Sequence, residues 1–257
     1  MTGGLPAYGV LRAVTPTASV LLENNPGPMT LDGTNTWILR APGHDSGVVV
    51  DPGHDDEEHL TRVAAWGPVA LILLTHRHVH HAEGAPWLAA RTGAPIRAFN
   101  PSLCRDAGPL ADDETIRVAG LEIDVLHTPG HTDDSVCLRL GDAVLTGDSI
   151  VGRGTTMVSA LGDYLGSLRR LAALPGLIVL PGHGDEQPDL AAAATAYLTH
   201  REERLDQVRR ALRRLGPDAS ARDIVTLVYT DLDPELRDPA EQSVRAQLDH
   251  LRSGEES

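Results

Sequence analysis

The sequence predicts an α/β fold of stacked layers followed by a small helical appendage, on three observations. Short β-like apolar runs alternate with turns and helical stretches up to about residue 190. Several of these runs end in a Gly-bearing turn that carries a histidine or an aspartate. After about residue 188 the apolar residues recur only at helical spacing.

Taken in order, Gly47-Val48-Val49-Val50 reads as a buried strand that ends in the turn Asp51-Pro52-Gly53. Leu71-Ile72-Leu73-Leu74-Thr75 is another strand, running straight into a histidine cluster. A helical pattern follows at about 83–92. Residues 115–127 and 135–147 each read as a hairpin, with Ala119-Gly120 and Gly141-Asp142 at the turns. A second helical pattern covers 163–174, and the run Leu177 to Leu180 leads into Pro181-Gly182-His183. Strands interleaved with helices suggest helices covering sheets. In the tail, Tyr197, Leu198, Leu205, Val208, Leu212 and Leu215 keep helical spacing until Gly216-Pro217 stops the helix. Residues 221–229 and 239–252 read as two more helices. The expected division is 1–190 for the layered unit and 191–257 for the appendage.

The 257 residues carry 22 Lys+Arg against 36 Asp+Glu, a net charge of −14. Every basic residue is Arg. That acidity argues against broad capture of nucleic acid, which needs cations near phosphates. It favours a small-molecule substrate over RNA, while leaving room for a local basic groove. Arg201, Arg204, Arg209, Arg210, Arg213 and Arg214 lie along the tail helix and read as a solvated charged face, with contact to an anionic partner as the lesser alternative. No apolar run approaches the roughly 20 residues of a membrane helix, and Met1 to Val10 show no secretory pattern. The expectation is a cytoplasmic protein without membrane partners. Cys104 and Cys137 form no metal or disulfide spacing and read as reduced structural thiols.

The chemistry concentrates in Thr75-His76-Arg77-His78-Val79-His80-His81-Ala82-Glu83-Gly84, where four of the 12 histidines fall within six residues. A strand end lets His76 and His78 be aimed at one point, and neutral imidazole is the commonest metal ligand. Such a cluster alone is also compatible with a weak nickel or copper site. His131, in His127-Thr128-Pro129-Gly130-His131, follows a strand-like run. Asp148, in Leu145-Thr146-Gly147-Asp148, closes a hairpin, and His183 follows the last strand. Each sits beside a Gly that permits a tight turn, and loops at one edge of the strands commonly build binding sites. Asp51 is expected to support the site from behind, whereas His44, His54, His59, His200 and His250 read as surface or loop residues.

With these motifs in order, the sequence resembles the metallo-β-lactamase-fold hydrolase superfamily over roughly residues 18–190. It is most similar to the branch of lactamase-β-like protein 2 and its bacterial relatives. That similarity rests on Asn25-Pro26-Gly27-Pro28-Met29-Thr30-Leu31-Asp32-Gly33-Thr34-Asn35-Thr36, on Thr128 through Asp134, and on Gly152-Arg153-Gly154-Thr155-Thr156. The resemblance implies a four-layer αββα sandwich, with a winged-helix-like appendage cut short after Leu251. It implies one or two zinc ions, iron and manganese being compatible with the same donors. His76, His78 and His131 would hold the first ion, His81 and His183 the second, and Asp148 would bridge them. The implied reaction is attack by a metal-bound hydroxide on an ester, thioester, lactone, lactam or phosphodiester. An endoribonuclease-like phosphodiesterase is the alternative.

One position departs from the family pattern. Where the superfamily's His-x-His-x-Asp-His motif carries Asp, this chain has His80. His80 can ligate or orient through a ring nitrogen but brings no negative charge. Two divalent ions balanced by Asp148 and one hydroxide keep two positive charges, where an Asp at 80 would leave one. The expected consequence is weaker occupancy of the second site. A metal-binding protein with little turnover is therefore a second alternative.

Overall fold

A computed structural model describes residues 7–230 and 232–254. Part of the amino-terminal segment on which the expectation about targeting rests lies outside them. The first sheet is built from β1 (Leu11–Ala13), β2 (Ala18–Leu22), β3 (Asn35–Leu39), β4 (Gly47–Val50), β5 (Val69–Leu73) and β6 (Ile96–Arg97), in that spatial order. β1 to β4 pair antiparallel, and β4–β5 and β5–β6 pair parallel. Parallel neighbours need a crossover. Here α1 (Glu57–Ala65) supplies the first, and α2 (Val79–Ala82) with α3 (Ala85–Thr92) supplies the second. Asp56 starts α1 by accepting from the backbone N–H of Glu58 and His59. Gly93, at φ 75°, ends α3.

The second sheet runs β11-β10-β9-β8-β7 in space. It comprises β7 (Thr115–Val118), β8 (Leu121–His127), β9 (Val136–Leu140), β10 (Ala143–Gly147) and β11 (Ile178–Pro181). The two expected hairpins are β7–β8 and β9–β10, and α4 (Leu161–Ala172) makes the crossover to the parallel β11.

The two sheets face each other across one core, in which Trp37, Leu39, Val48, Val50 and Leu73 meet Ile123, Val125, Leu138, Leu145 and Leu180. Outside the first sheet, Val49, Ile72 and Leu74 pack on Leu60, Val63 and Leu88 of the helices. Outside the second, Val144 and Val179 pack on Leu161, Tyr164, Leu168 and Ala194. This is the αββα sandwich. Its middle strands β3, β4 and β10 are buried along their whole length, as strands covered on both faces must be.

The tail comprises α5 (Leu190–Leu215), α6 (Ala221–Val228) and α7 (Arg237–Arg252). Tyr197 and Leu205 of α5 belong to the core over the second sheet, whereas Val208 and Ala211 join Ile224, Val225, Val244 and Leu248 in a separate helical cluster. Both cysteines are free thiols, and burial pushes the Cys137 thiol up to about 11, which keeps it protonated and unreactive. No helix among the described residues is long and apolar enough to cross a membrane.

Two expectations are corrected by this packing. His59 is not a surface residue: it lies on the inner face of α1, is 4% exposed, and its Nε2 meets the Thr36 hydroxyl at 2.9 Å. Arg201 does not belong to a solvated face, being 5% exposed. It follows Tyr197 by four residues and precedes Leu205 by four, so helical periodicity turns it into the buried stripe.

The burial of His59 has a measurable consequence. Burial disfavours its cation and pushes its pKa down to about 4. The unfolded chain takes up that proton near pH 6.5, so between pH 6.5 and 4 the unfolded state binds more protons and stability falls with added acid. The loss from this residue is at most about 3 kcal/mol. Gln can keep the bond to Thr36 without titrating. His59→Gln is therefore expected to lose less stability than the parent between pH 7 and 4.5, read as the shift in urea midpoint.

Candidate metal centre

The predicted site residues stand at the carboxyl ends of four strands. His76 follows β5, His131 follows β8, Asp148 follows β10 and His183 follows β11. His80 and His81 occupy the single turn of α2, and His78 is the residue that starts it. The fold brings all seven together. The Nε2 atoms of His76 and His131 each lie 3.0 Å from Nδ1 of His78. They approach Oδ2 of Asp148 to 3.9 and 3.6 Å. On the other side, the Nε2 atoms of His81 and His183 are 3.2 Å apart and lie 3.5 and 3.4 Å from Oδ1 of Asp148. The Asp148 carboxylate thus stands between two groups of imidazoles, one per oxygen. His80 Nε2 is 3.9 Å from Oδ2, and His76, His80, His81 and Asp148 offer ligand atoms within 4.8 Å of one another.

The far side of each ring determines what the near side can do. His183 Nδ1 meets the Gly33 carbonyl at 3.0 Å, and His131 Nδ1 meets the Met157 carbonyl at 2.8 Å. A carbonyl can only accept, so both rings carry their proton on Nδ1 and turn the Nε2 lone pair inward. His81 Nδ1 donates to Asp51 Oδ2 at 2.9 Å. Thr75 Oγ1 donates to the same Asp51 oxygen at 2.6 Å and accepts from His76 Nδ1 at 3.1 Å. Asp51 also accepts from the Thr75 backbone N–H at 2.8 Å. It does so from a left-handed backbone position, φ 51°, which Asp tolerates better than most residues. Asp51 thus holds Thr75 and His81 from outside the imidazole cluster.

Unprotonated imidazole nitrogens held 3.0–3.2 Å apart repel unless a proton or a metal cation lies between them. Tetrahedral zinc with Zn–N of 2.0–2.1 Å places its ligands about 3.3 Å apart, close to these spacings. His80 Nε2 and Asp148 Oδ1 are buried without a hydrogen-bond partner, as donors aimed at a cation would be. The donor set therefore fits a metal cofactor. Without one, burial works against the Asp148 carboxylate, but the His183 and His81 imidazoles around it hold it well below the usual carboxylate range. Burial likewise opposes a charged His81, yet the facing carboxylates of Asp148 and Asp51 push it up to about 10.

Close backbone approach completes the site. A Cβ on Gly182 would stand 2.8 Å from His81 Cε1 and 2.9 Å from Asp148 Oδ1, so only Gly fits before His183. Asn35 pins this loop by donating Nδ2 to the carbonyls of Pro181 and Gly184.

Several contributors escape a reading of the sequence. Thr75 has a visible signal, lying between the strand and His76. The carbonyls of Gly33 and Met157 have none, because any residue supplies one. His54, expected on the surface, is half-buried beside the buried Glu23, with Oε1 at 3.2 Å from its Nδ1 and its ring 6.1 Å from that of His80.

Two sheets with a histidine and aspartate cluster at their strand ends are the arrangement of a metal-dependent hydrolase. The chain belongs to the Metallo-beta-lactamase superfamily, which it matches over residues 29–183. Residues 220–255 match the Beta-lactamase associated winged helix domain. Among its relatives, the lactamase-like protein adaB of Aspergillus niger is 34% identical over 220 residues, covering 82% of this chain and 68% of that protein. The beta-lactamase-like protein 2 homolog of Drosophila melanogaster is 30% identical over 259 residues, covering 91% and 88%. Of solved structures, a beta-lactamase domain protein from Burkholderia ambifaria is similar with a TM-score of 0.83 at 23% identity, covering 99% of this chain and 91% of that one. A metallo-beta-lactamase family protein from Thermus thermophilus gives 0.79 at 22%, covering 94% and 95%. At those identities the likeness is one of fold.

Proposed function

We propose that this protein is a zinc-dependent hydrolase of small esters or thioesters. The observation that carries the reading is the Asp148 carboxylate with imidazole lone pairs gathered at each oxygen, at one end of a cleft of about 370 Å³. In this reading His76, His78 and His131 would hold one ion, His81 and His183 would hold a second, and Asp148 would serve both. When bound, the metal would polarise the scissile carbonyl and lower the pKa of a water at neutral pH. The chain's own part is to fix the donors. Gly33, Met157, Thr75 and Asp51 hold the protons of four imidazoles on the outward nitrogens, so none of those four needs to change tautomer before it can ligate. The cleft lining of Met29, Leu31, Val151 and Met157 excludes water from the side of the acyl group. The acidity of the chain, −14 overall, favours a compact substrate over a nucleic acid strand.

The test is elemental analysis of chelator-free, untagged protein, followed by turnover of aryl esters, thioesters and an aryl phosphodiester before and after chelation. Ester or thioester turnover that is lost on chelation and restored by zinc supports the proposal. Phosphodiester turnover alone, or tight metal binding without turnover, would overturn it.

His80 allows a sharper check. Its buried Nε2 faces Oδ2 of Asp148 without a partner, and an acidic side chain there would add the charge that the family motif carries. His80→Asp is expected to raise the occupancy of the second ion and to change turnover. Unchanged metal content together with unchanged turnover would show that position 80 does not tune the centre.

A further inference from the structure

The cleft that ends at Asp148 has in its wall a guanidinium with no carboxylate partner among the described residues. Arg201 lines the cleft and is 5% exposed. Its Nη2 donates to the Thr156 carbonyl, its Nε is buried without a hydrogen-bond partner, and its charged carbon sits 5.3 Å from the centroid of the Tyr164 ring. Arg204, one turn nearer the appendage in the same wall, lies 5.5 Å over the Tyr229 ring and donates only to Gln207 among the described residues. Neither forms an ion pair with a described residue, although acidic side chains outnumber basic ones 36 to 22. By contrast, Arg153 at the rim of the same cleft is paired with Asp32 at 2.6 Å.

A buried cation without a counter-charge is costly unless something anionic approaches it. An Arg fork suits a planar carboxylate or a phosphate through paired hydrogen bonds. We infer that the cleft takes a substrate bearing an oxyanion, carboxylate or phosphate, joined through an apolar spacer to the acyl bond that is cleaved. The oxyanion meets Arg201 and Arg204, the spacer lies on Met157 and Leu232, and the acyl bond lies at Asp148. The overall negative field opposes a long polyanion, so the recognised charge is a single terminal group. This inference rests on the hydrolase reading for its scissile bond, but not for its anion site.

The test uses the full-length, metal-loaded protein and ligand binding by calorimetry. For chains of four to eight carbons, three ligands are compared: an α,ω-dicarboxylate, the matched ω-hydroxy carboxylate, and the matched ω-phosphate carboxylate. One carboxylate is common to all three, so binding at the metal cancels in the ratio. At one chain length the doubly anionic ligand is expected to bind tenfold or more tighter than the hydroxy ligand, and Arg201→Gln is expected to remove most of that gain. Whether the carboxylate or the phosphate tail gains more identifies the oxyanion. If Arg201→Gln does not fold or loses metal, the ratio is read from Arg204→Gln, whose side chain is half-exposed. The absence of a gain at every length in the parent protein overturns the inference, as does a gain that survives the substitution. Turnover of neutral esters without an anion gain removes this inference and leaves the hydrolase. An anion gain without any turnover does the reverse.

Discussion

Asp148→Ala is expected to strip the centre of metal and to lower turnover on the order of a thousandfold. The carboxylate faces both imidazole groups, with Oδ1 3.4–3.5 Å from His81 and His183 and Oδ2 3.6–3.9 Å from His131 and His76. Removing it leaves six imidazoles with no counter-charge at their centre, so two divalent ions would face each other unscreened. Metal polarisation of a carbonyl is worth several kcal/mol, and each 1.36 kcal/mol is tenfold in rate. The side chain is buried and its neighbours are held by other anchors, so the fold should survive. The check pairs metal content with turnover on the best ester substrate. A variant that keeps two ions and more than a tenth of the parent rate would contradict the bridging geometry.

Asp51 should be almost as sensitive, for a different reason. Its carboxylate touches no inward-facing atom. It accepts from the Thr75 backbone, the Thr75 hydroxyl and His81 Nδ1, and it is 1% exposed. Asp51→Ala strands three buried donors, which should cost about 3–5 kcal/mol in stability. Asp51→Asn separates packing from chemistry. With its carbonyl on the Thr75 backbone N–H, its NH2 would confront both the Thr75 hydroxyl and the Nδ1–H of His81. That ring would relieve the clash by moving its proton to Nε2, the atom turned towards His183 and Asp148. The expected result is a folded protein with metal affinity at the second site reduced about 10- to 100-fold. A calorimetric metal titration beside a urea melt distinguishes the two variants. Equal affinity for parent and Asn variant would show that His81 needs no fixed tautomer.

The helical tail shows how periodicity both reveals and hides structure. Leu205, Val208 and Leu212 mark α5 clearly, yet Arg201 occupies the same stripe and carries a charge, so composition points it to solvent. His59 escapes the sequence for a related reason. The helix α1 is short, with acidic residues at its start, and only its docking against the first sheet shows that its histidine faces Thr36. Gly182 is legible as a turn, but not as the residue whose missing side chain makes room for His81 and Asp148.

The sequence by itself determined which residues could meet a metal and roughly where they stood. His76, His78, His80 and His81 are close neighbours in the chain, and His131, Asp148 and His183 each follow an apolar run and a Gly turn. Strand ends must emerge at a sheet edge, so those local signals survive into the fold. What only the tertiary structure decided is which atom of each ring points inward and what waits beside the centre. The partner of His183 is a carbonyl 150 residues away, and that of His131 lies 26 residues on. A backbone carbonyl has no side chain to announce it. The same holds for the guanidinium of Arg201, which gains meaning only when α5 folds back over the second sheet and closes the cleft on Asp148.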